Sequence, residues 1–101
     1  MFHKLIGVNP KPDLVIEGIF EDGTKKYCSI RQFFNKWDAL KSLEERDLFN
    51  KMKLSPGGFM VIWNDLLDID SSTIWEYGVD ALNLQEKDGF LKESELKSNI
   101  R

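Results

Sequence analysis

Val15-Ile16-Glu17-Gly18-Ile19-Phe20 runs through Glu21-Asp22-Gly23-Thr24 into Lys25-Lys26-Tyr27-Cys28-Ser29-Ile30, and this stretch decides the fold class. Two runs of strand-forming residues flank Asp22-Gly23. That pair suits a two-residue type I′ turn, because both central positions of the turn need positive φ. A turn placed there pairs Phe20 with Lys25, Gly18 with Tyr27 and Ile16 with Ser29. In that register the Tyr27 ring covers the bare backbone at Gly18. One face then carries Ile16, Phe20 and Tyr27, and the other Val15, Ile19, Cys28 and Ile30. A strand near His3 to Val8 joins the hairpin through a rigid connection, Asn9-Pro10-Lys11-Pro12-Asp13.

Downstream, Ser29-Ile30-Arg31-Gln32 reads as a capping box, with serine at the N-cap and glutamine three residues on. Ile30, Phe33, Phe34, Trp37 and Leu40 follow at the spacing of one helix face, so Trp37 is expected in the core. A second box, Ser42-Leu43-Glu44-Glu45, predicts a short helix burying Leu43, Leu48 and Phe49. Met52 and Leu54 alternate with Lys51 and Lys53, Ser55-Pro56-Gly57-Gly58 marks a turn, and Phe59 to Trp63 is a strand-forming apolar run. Asn64-Asp65-Leu66 makes the next tight connection, into the short strand Leu67-Asp68-Ile69. Asp70 or Ser71 then caps a last helix through Ile74, Trp75 and Tyr77, stopped by Gly78. Strands, then helices, then strands and a helix give an α+β fold, a small antiparallel sheet of hairpins packed against two or three short helices. The expected domain is 1–78. Residues 79–101, sparse in apolar positions and rich in alternating charge, are expected to be a charged C-terminal appendage, with Lys92 to Ile100 as a candidate helix.

The composition fits one such domain. The chain has 101 residues, 42% hydrophobic and 12% aromatic, so a core can form without disulfides. One Cys excludes an internal disulfide and one His excludes a multi-histidine metal site. A net charge of -3 is opposite in sign to the footprint of a nucleic-acid binder. The longest apolar stretch, Phe59 to Trp63, is far below the ~20 residues of a membrane helix. With no targeting signal in view and Cys28 unpaired, the expected setting is cytoplasmic, with no membrane partner.

Catalytic signals are sparse. His3 and Cys28 are the obvious base and nucleophile types, and Cys28 in a strand reads as a small buried hydrophobe. Asp65, Asp68, Asp70 and Glu76 form the densest acidic cluster; turn, cap and solvated-surface roles account for them. The alternative is a small metal-dependent or acid–base enzyme using Asp65, Asp68 and Asp70. Asp88-Gly89 through Glu95 resembles the second half of a calcium loop, but Leu84 stands where the first ligand belongs. Lys25, Lys26, Lys51 and Lys53 read as guards of a sheet edge, or, if they share one face, as a nucleic-acid patch. No Walker loop, G-x-G-x-x-G or CxxC occurs, and no cofactor is expected.

Several features recur together in order: Pro10-x-Pro12-Asp13, Phe20-Glu21-Asp22-Gly23, Leu43 with Leu48-Phe49 and Met52, Trp63 through Asp68-Ile69, and Thr73-Ile74-Trp75-Glu76. Over about residues 5–77 this order resembles a bacterial family called domain of unknown function twenty-four forty-two. That family's strand–turn reads Trp-Pro-Asn-Gly-x-Asp-Ile and its following helix ends Leu-Tyr-Glu. Here Asn64, Asp65 and Leu66 replace Pro-Asn-Gly, and Trp75 replaces the tyrosine, so a different loop is expected at 64–66. The resemblance implies a small α+β domain, similar to the N-terminal domain of some helix-turn-helix regulators, with no catalytic residues to carry over. It also raises a third reading, an antitoxin-like or DNA-associated regulator. The leading expectation is a non-catalytic protein-interaction or regulatory module acting through a protein partner or as a homodimer, with nucleic acid not contacted directly. Its expected contact surfaces are the open sheet edge around Lys25–Ser29, with Lys25 and Tyr27, and the loop bearing Trp63, Asn64, Asp65 and Asp68.

Overall fold

The computed structural model describes residues 3–80. Its strands are β1 (Leu5–Lys11), β2 (Val15–Phe20), β3 (Lys25–Ser29), β4 (Lys53–Leu54), β5 (Met60–Asn64), β6 (Leu67–Asp70) and β7 (Val79–Asp80). Its α-helices are α1 (Arg46–Phe49) and α2 (Ser71–Tyr77). The fold is α+β with two small antiparallel sheets, ordered β1-β2-β3-β7 and β4-β5-β6.

The Asp22-Gly23 hairpin forms, but one residue out of the expected register. Ile19 faces Lys25, Gly18 faces Lys26, Glu17 faces Tyr27 and Ile16 faces Cys28. The loop takes three residues rather than two. Phe20 and Thr24 close it through Phe20 N–H to Thr24 carbonyl at 2.8 Å, and Gly23 alone takes positive φ, at 94°. Asp22 turns its carboxylate onto the Thr24 amide at 2.9 Å instead of adopting positive φ itself. Because side chains alternate, the slip reverses every position of β3. Cys28 joins Ile16 and Phe20 in the core, and Tyr27 moves to the outer face beside Glu17. Gly18 is therefore covered by aliphatics, not by Tyr27: a Cβ there would lie 3.1 Å from Leu5 Cδ2 and 3.2 Å from Ile74 Cγ2.

The strand before the hairpin runs on through Asn9-Pro10-Lys11, so the expected connection at 9–13 is shorter than its proline spacing suggests. Pro10 is tolerated because β1 is an edge strand. The connection is the short 3-10 turn Pro12–Leu14, with Asp13 and Leu14 both left-handed at φ 63° and 59°. Burial of the Leu14 side chain in the core holds this unfavourable backbone in place.

Residues 30–49 depart further from expectation. The single helix read from Ile30 to Leu40 is two 3-10 segments, Ile30–Phe33 and Asp38–Glu44, broken at Trp37 with φ -130° and ψ 91°. The first capping box is not made: the Ser29 side chain caps nothing, and Gln32 Nε2 donates to the Ser29 carbonyl at 2.8 Å. The break lets Ile30, Phe33, Leu40 and Leu43 all reach one core. The cap of α1 is Glu45, whose Oε1 accepts from the Leu48 amide at 3.1 Å, in place of Ser42.

The second sheet follows its sequence signals closely. Gly58 sits at φ 81° with its carbonyl accepting from Leu5 N–H at 2.8 Å, which ties the two sheets together. A Cβ at Gly58 would collide with the Leu5 carbonyl oxygen. Trp63, Leu67 and Ile69 face the core, where Phe49 stacks on Trp63 at 6.3 Å between ring centroids. Helix α2 buries Ile74 and ends at Gly78, whose N–H donates to the Ile74 carbonyl. Val79–Asp80 then pairs with Lys26 and Tyr27, so strand pairing continues past the expected boundary at 78 and covers part of the β3 edge. The calcium-loop-like stretch from Asp88 to Glu95 and the helix expected at Lys92 to Ile100 lie outside the described residues.

Candidate functional site

Two surfaces bring chemistry together. The first is the outer face of the four-stranded sheet. Asn9, Glu17 and Tyr27 face one another across β1, β2 and β3. Asn9 Nδ2 donates to Glu17 Oε1 at 2.9 Å and the Tyr27 hydroxyl to Glu17 Oε2 at 3.0 Å. Lys11 and Lys25 stand at 3.9 and 3.8 Å from the same two oxygens. Beneath these side chains the Glu17 residue is only 7% exposed. Burial by itself would raise its pKa. The bonds from Asn9 and Tyr27, then the charges of Lys11 and Lys25, outweigh that and hold the carboxyl below the usual glutamate range. Burial first, then the neighbouring carboxylate, pushes the Tyr27 phenol up. Through these bonds one buried carboxylate fastens β1, β2 and β3 together.

The second surface is an open cleft of about 320 Å³. It is lined by Trp37, Ala39 and Leu40 of the broken helical stretch, by Leu66 through Asp70, and by Thr73 of α2. Two apolar side chains stand open at its rim: Leu66 is 90% exposed and Trp37 38%. Trp37 is fixed from behind by Phe33, with ring centroids 5.4 Å apart, and Lys36 Nζ lies 4.8 Å over one face of its ring. Along β6, Leu67 and Ile69 are buried while Asp68 and Asp70 are exposed. The strand thus presents two carboxylates on one face because of its period of two. They are the charged residues among the cleft lining.

The residues singled out in the sequence divide between these surfaces and the core. Trp63 is not a surface residue. It is 4% exposed, and its Nε1 donates to the Phe49 carbonyl at 3.2 Å, which satisfies the indole in the interior. Asn64 folds back on its own turn, Oδ1 accepting from the Leu66 and Leu67 amides at 2.8 and 3.0 Å. Asp65 is exposed in that turn and outside the cleft lining, whereas Asp68 lines it. Lys25 and Tyr27 belong to the Glu17 cluster. No family model, no curated protein and no solved structure matches the chain.

The acidic trio therefore does not converge: Asp68 and Asp70 line the cleft and Asp65 does not. Among the described residues no group of three or more His, Cys, Asp or Glu side chains is placed to hold a metal ion. The lysines divide as well. Lys25 pairs with Glu17 on the outer face, while Lys26 pairs with Asp80 at 3.2 Å and lies 4.8 Å over the Trp75 ring. The Cys28 thiol is buried in the core and burial pushes it up to about 12. Among the described residues no helix is long and apolar enough to cross a membrane. Leu66 lies within the expected contact loop Trp63–Asp68, whereas Trp37, expected in the core, and Asp70, expected as a cap or carboxylate ligand, line the cleft beside it. Leu66 carried a signal: an apolar side chain at the tip of a tight connection has nothing to bury against.

Proposed function

We propose that this chain is a non-catalytic protein-interaction module that holds another polypeptide in the cleft along β6. The observation that carries this reading is Leu66, 90% exposed beside a half-exposed Trp37 over a formed cleft. Exposed apolar side chains grouped at a concavity mark contact sites. Among the catalytic types, Cys28 is buried, Glu17 is held by its partners, and Asp65 stands apart from the Asp68–Asp70 pair. The resemblance to domain of unknown function twenty-four forty-two supports the same reading, as a regulatory module in a bacterial cytoplasm. The unpaired Cys28 thiol supports that setting.

The test is site-specific photo-crosslinking in the native cell, with the photo-reactive residue placed at Leu66 and, as control, at exposed Lys51. A defined adduct is expected from position 66 and not from position 51. Equal labelling at both, or no adduct at either, contradicts the reading.

A further inference from the structure

We propose that the occupant of the cleft is an extended, basic segment of a partner protein, added as a strand to the free edge of β6. The inference rests on the interaction reading and names its ligand class. Strand β6 ends its sheet, with β5 on one side only. The cleft is lined along Leu66–Asp70 and by no residue of β5, so it lies on the unpaired side. The Ser71 N–H donates to the Phe59 carbonyl at 2.8 Å, and the pairing continues as Met60 with Asp70 and Val61 with Ile69. In an antiparallel ladder, residues bonded to the neighbour alternate with residues whose amide and carbonyl face away. Ser71 and Ile69 therefore bond towards β5, and the Asp68 amide and carbonyl and the Asp70 amide face the cleft, while the Asp70 carbonyl, at the N-cap of α2, takes the first bond of that helix. Such an edge is a template for an incoming strand.

Charge selects which strand. The cleft carries Asp68 and Asp70 on one face of β6 and no basic residue in its lining. A strand with Lys or Arg at every second position sets its cations opposite these carboxylates, and its other face meets the apolar rim of Trp37 and Leu66. A second copy of β6 would bring aspartates against aspartates, so the same charges act against self-pairing along this edge.

The experiment is an NMR titration of the isotope-labelled full chain with three short synthetic peptides. One alternates Lys or Arg with Val, one alternates Glu with Val, and one holds the basic composition in two blocks. The alternating basic peptide is expected to shift the signals of Leu66–Asp70 and the Trp37 indole, and to slow hydrogen exchange at the Asp68 and Asp70 amides. Its affinity should fall roughly tenfold or more in Asp68→Asn/Asp70→Asn, whose circular dichroism serves as the check on folding. Equal binding of the acidic or block peptide overturns the proposal, as do shifts confined to the outer face of the first sheet. A concentration-dependent dimer broadening β6 without any peptide overturns it in favour of a second copy. Should the peptides fail while Leu66 still forms its adduct in the cell, the basic-strand inference falls and the interaction reading stands; loss of both removes the reading itself.

Discussion

The outer face of the first sheet and the cleft beside β6 are both polar surfaces built on strands, and they differ in what is left over. Around Glu17 each oxygen has a hydrogen bond and a lysine, drawn from the two flanking strands β1 and β3. Beside β6 two carboxylates stand on an open edge, with an indole and a leucine turned to solvent. The first arrangement completes itself and rigidifies the sheet. The second has no basic side chain in its lining. Polar residues in a cluster thus do not by themselves mark a site.

The widest gap between structural and surface roles lies inside one hairpin. Trp63→Ala should cost about 3–5 kcal/mol in urea unfolding, because it empties the space under Phe49. Leu66→Ala, three residues away, should stay within about 0.5 kcal/mol. Comparable losses at both positions would contradict a buried Trp63 beside a solvent-facing Leu66. On the other sheet, Glu17→Gln should cost about 1–3 kcal/mol by leaving buried donors and lysines poorly matched. The sign of its pH dependence follows from the lowered pKa. The stabilisation is complete above the unfolded glutamate range and is lost as pH falls through the folded value. The variant should therefore show a flatter acid limb in thermal melts between neutral pH and the acid transition. Tyr27→Phe removes one bond to the same carboxylate, and about 1 kcal/mol is expected in the same assay. Smallest of all, a thiol reagent at mildly alkaline pH should leave folded Cys28 unmodified and label it only in denaturant, since burial keeps the thiol protonated.

How far the sequence reached follows from the physics of each element. The Asp22-Gly23 turn, the Ser55–Gly58 turn, the β5–β6 hairpin and the end of α2 at Gly78 were legible, because glycine and short polar side chains punctuate the backbone locally. The register was not. A three-residue loop with only Gly23 left-handed differs from a two-residue turn by backbone detail that composition does not encode. That slip hid the Glu17–Tyr27 pair, since it placed Tyr27 on the wrong face. Asp68 could be found from its alternation with Leu67 and Ile69. Trp37 could not, because its spacing from Ile30, Phe33 and Leu40 matches a helix that the chain breaks at Trp37 itself. The cleft is a product of that break.

The central claim is that partner binding belongs to the β6 cleft and not to the Glu17 face. The direct measurement is capture of the Leu66-crosslinked partner by three folded versions of the full chain: unaltered, Asp68→Asn/Asp70→Asn, and Tyr27→Phe. Capture should be strong for the first, sharply reduced for the second and unchanged for the third. Retained capture by the aspartate variant together with loss in Tyr27→Phe would contradict the account.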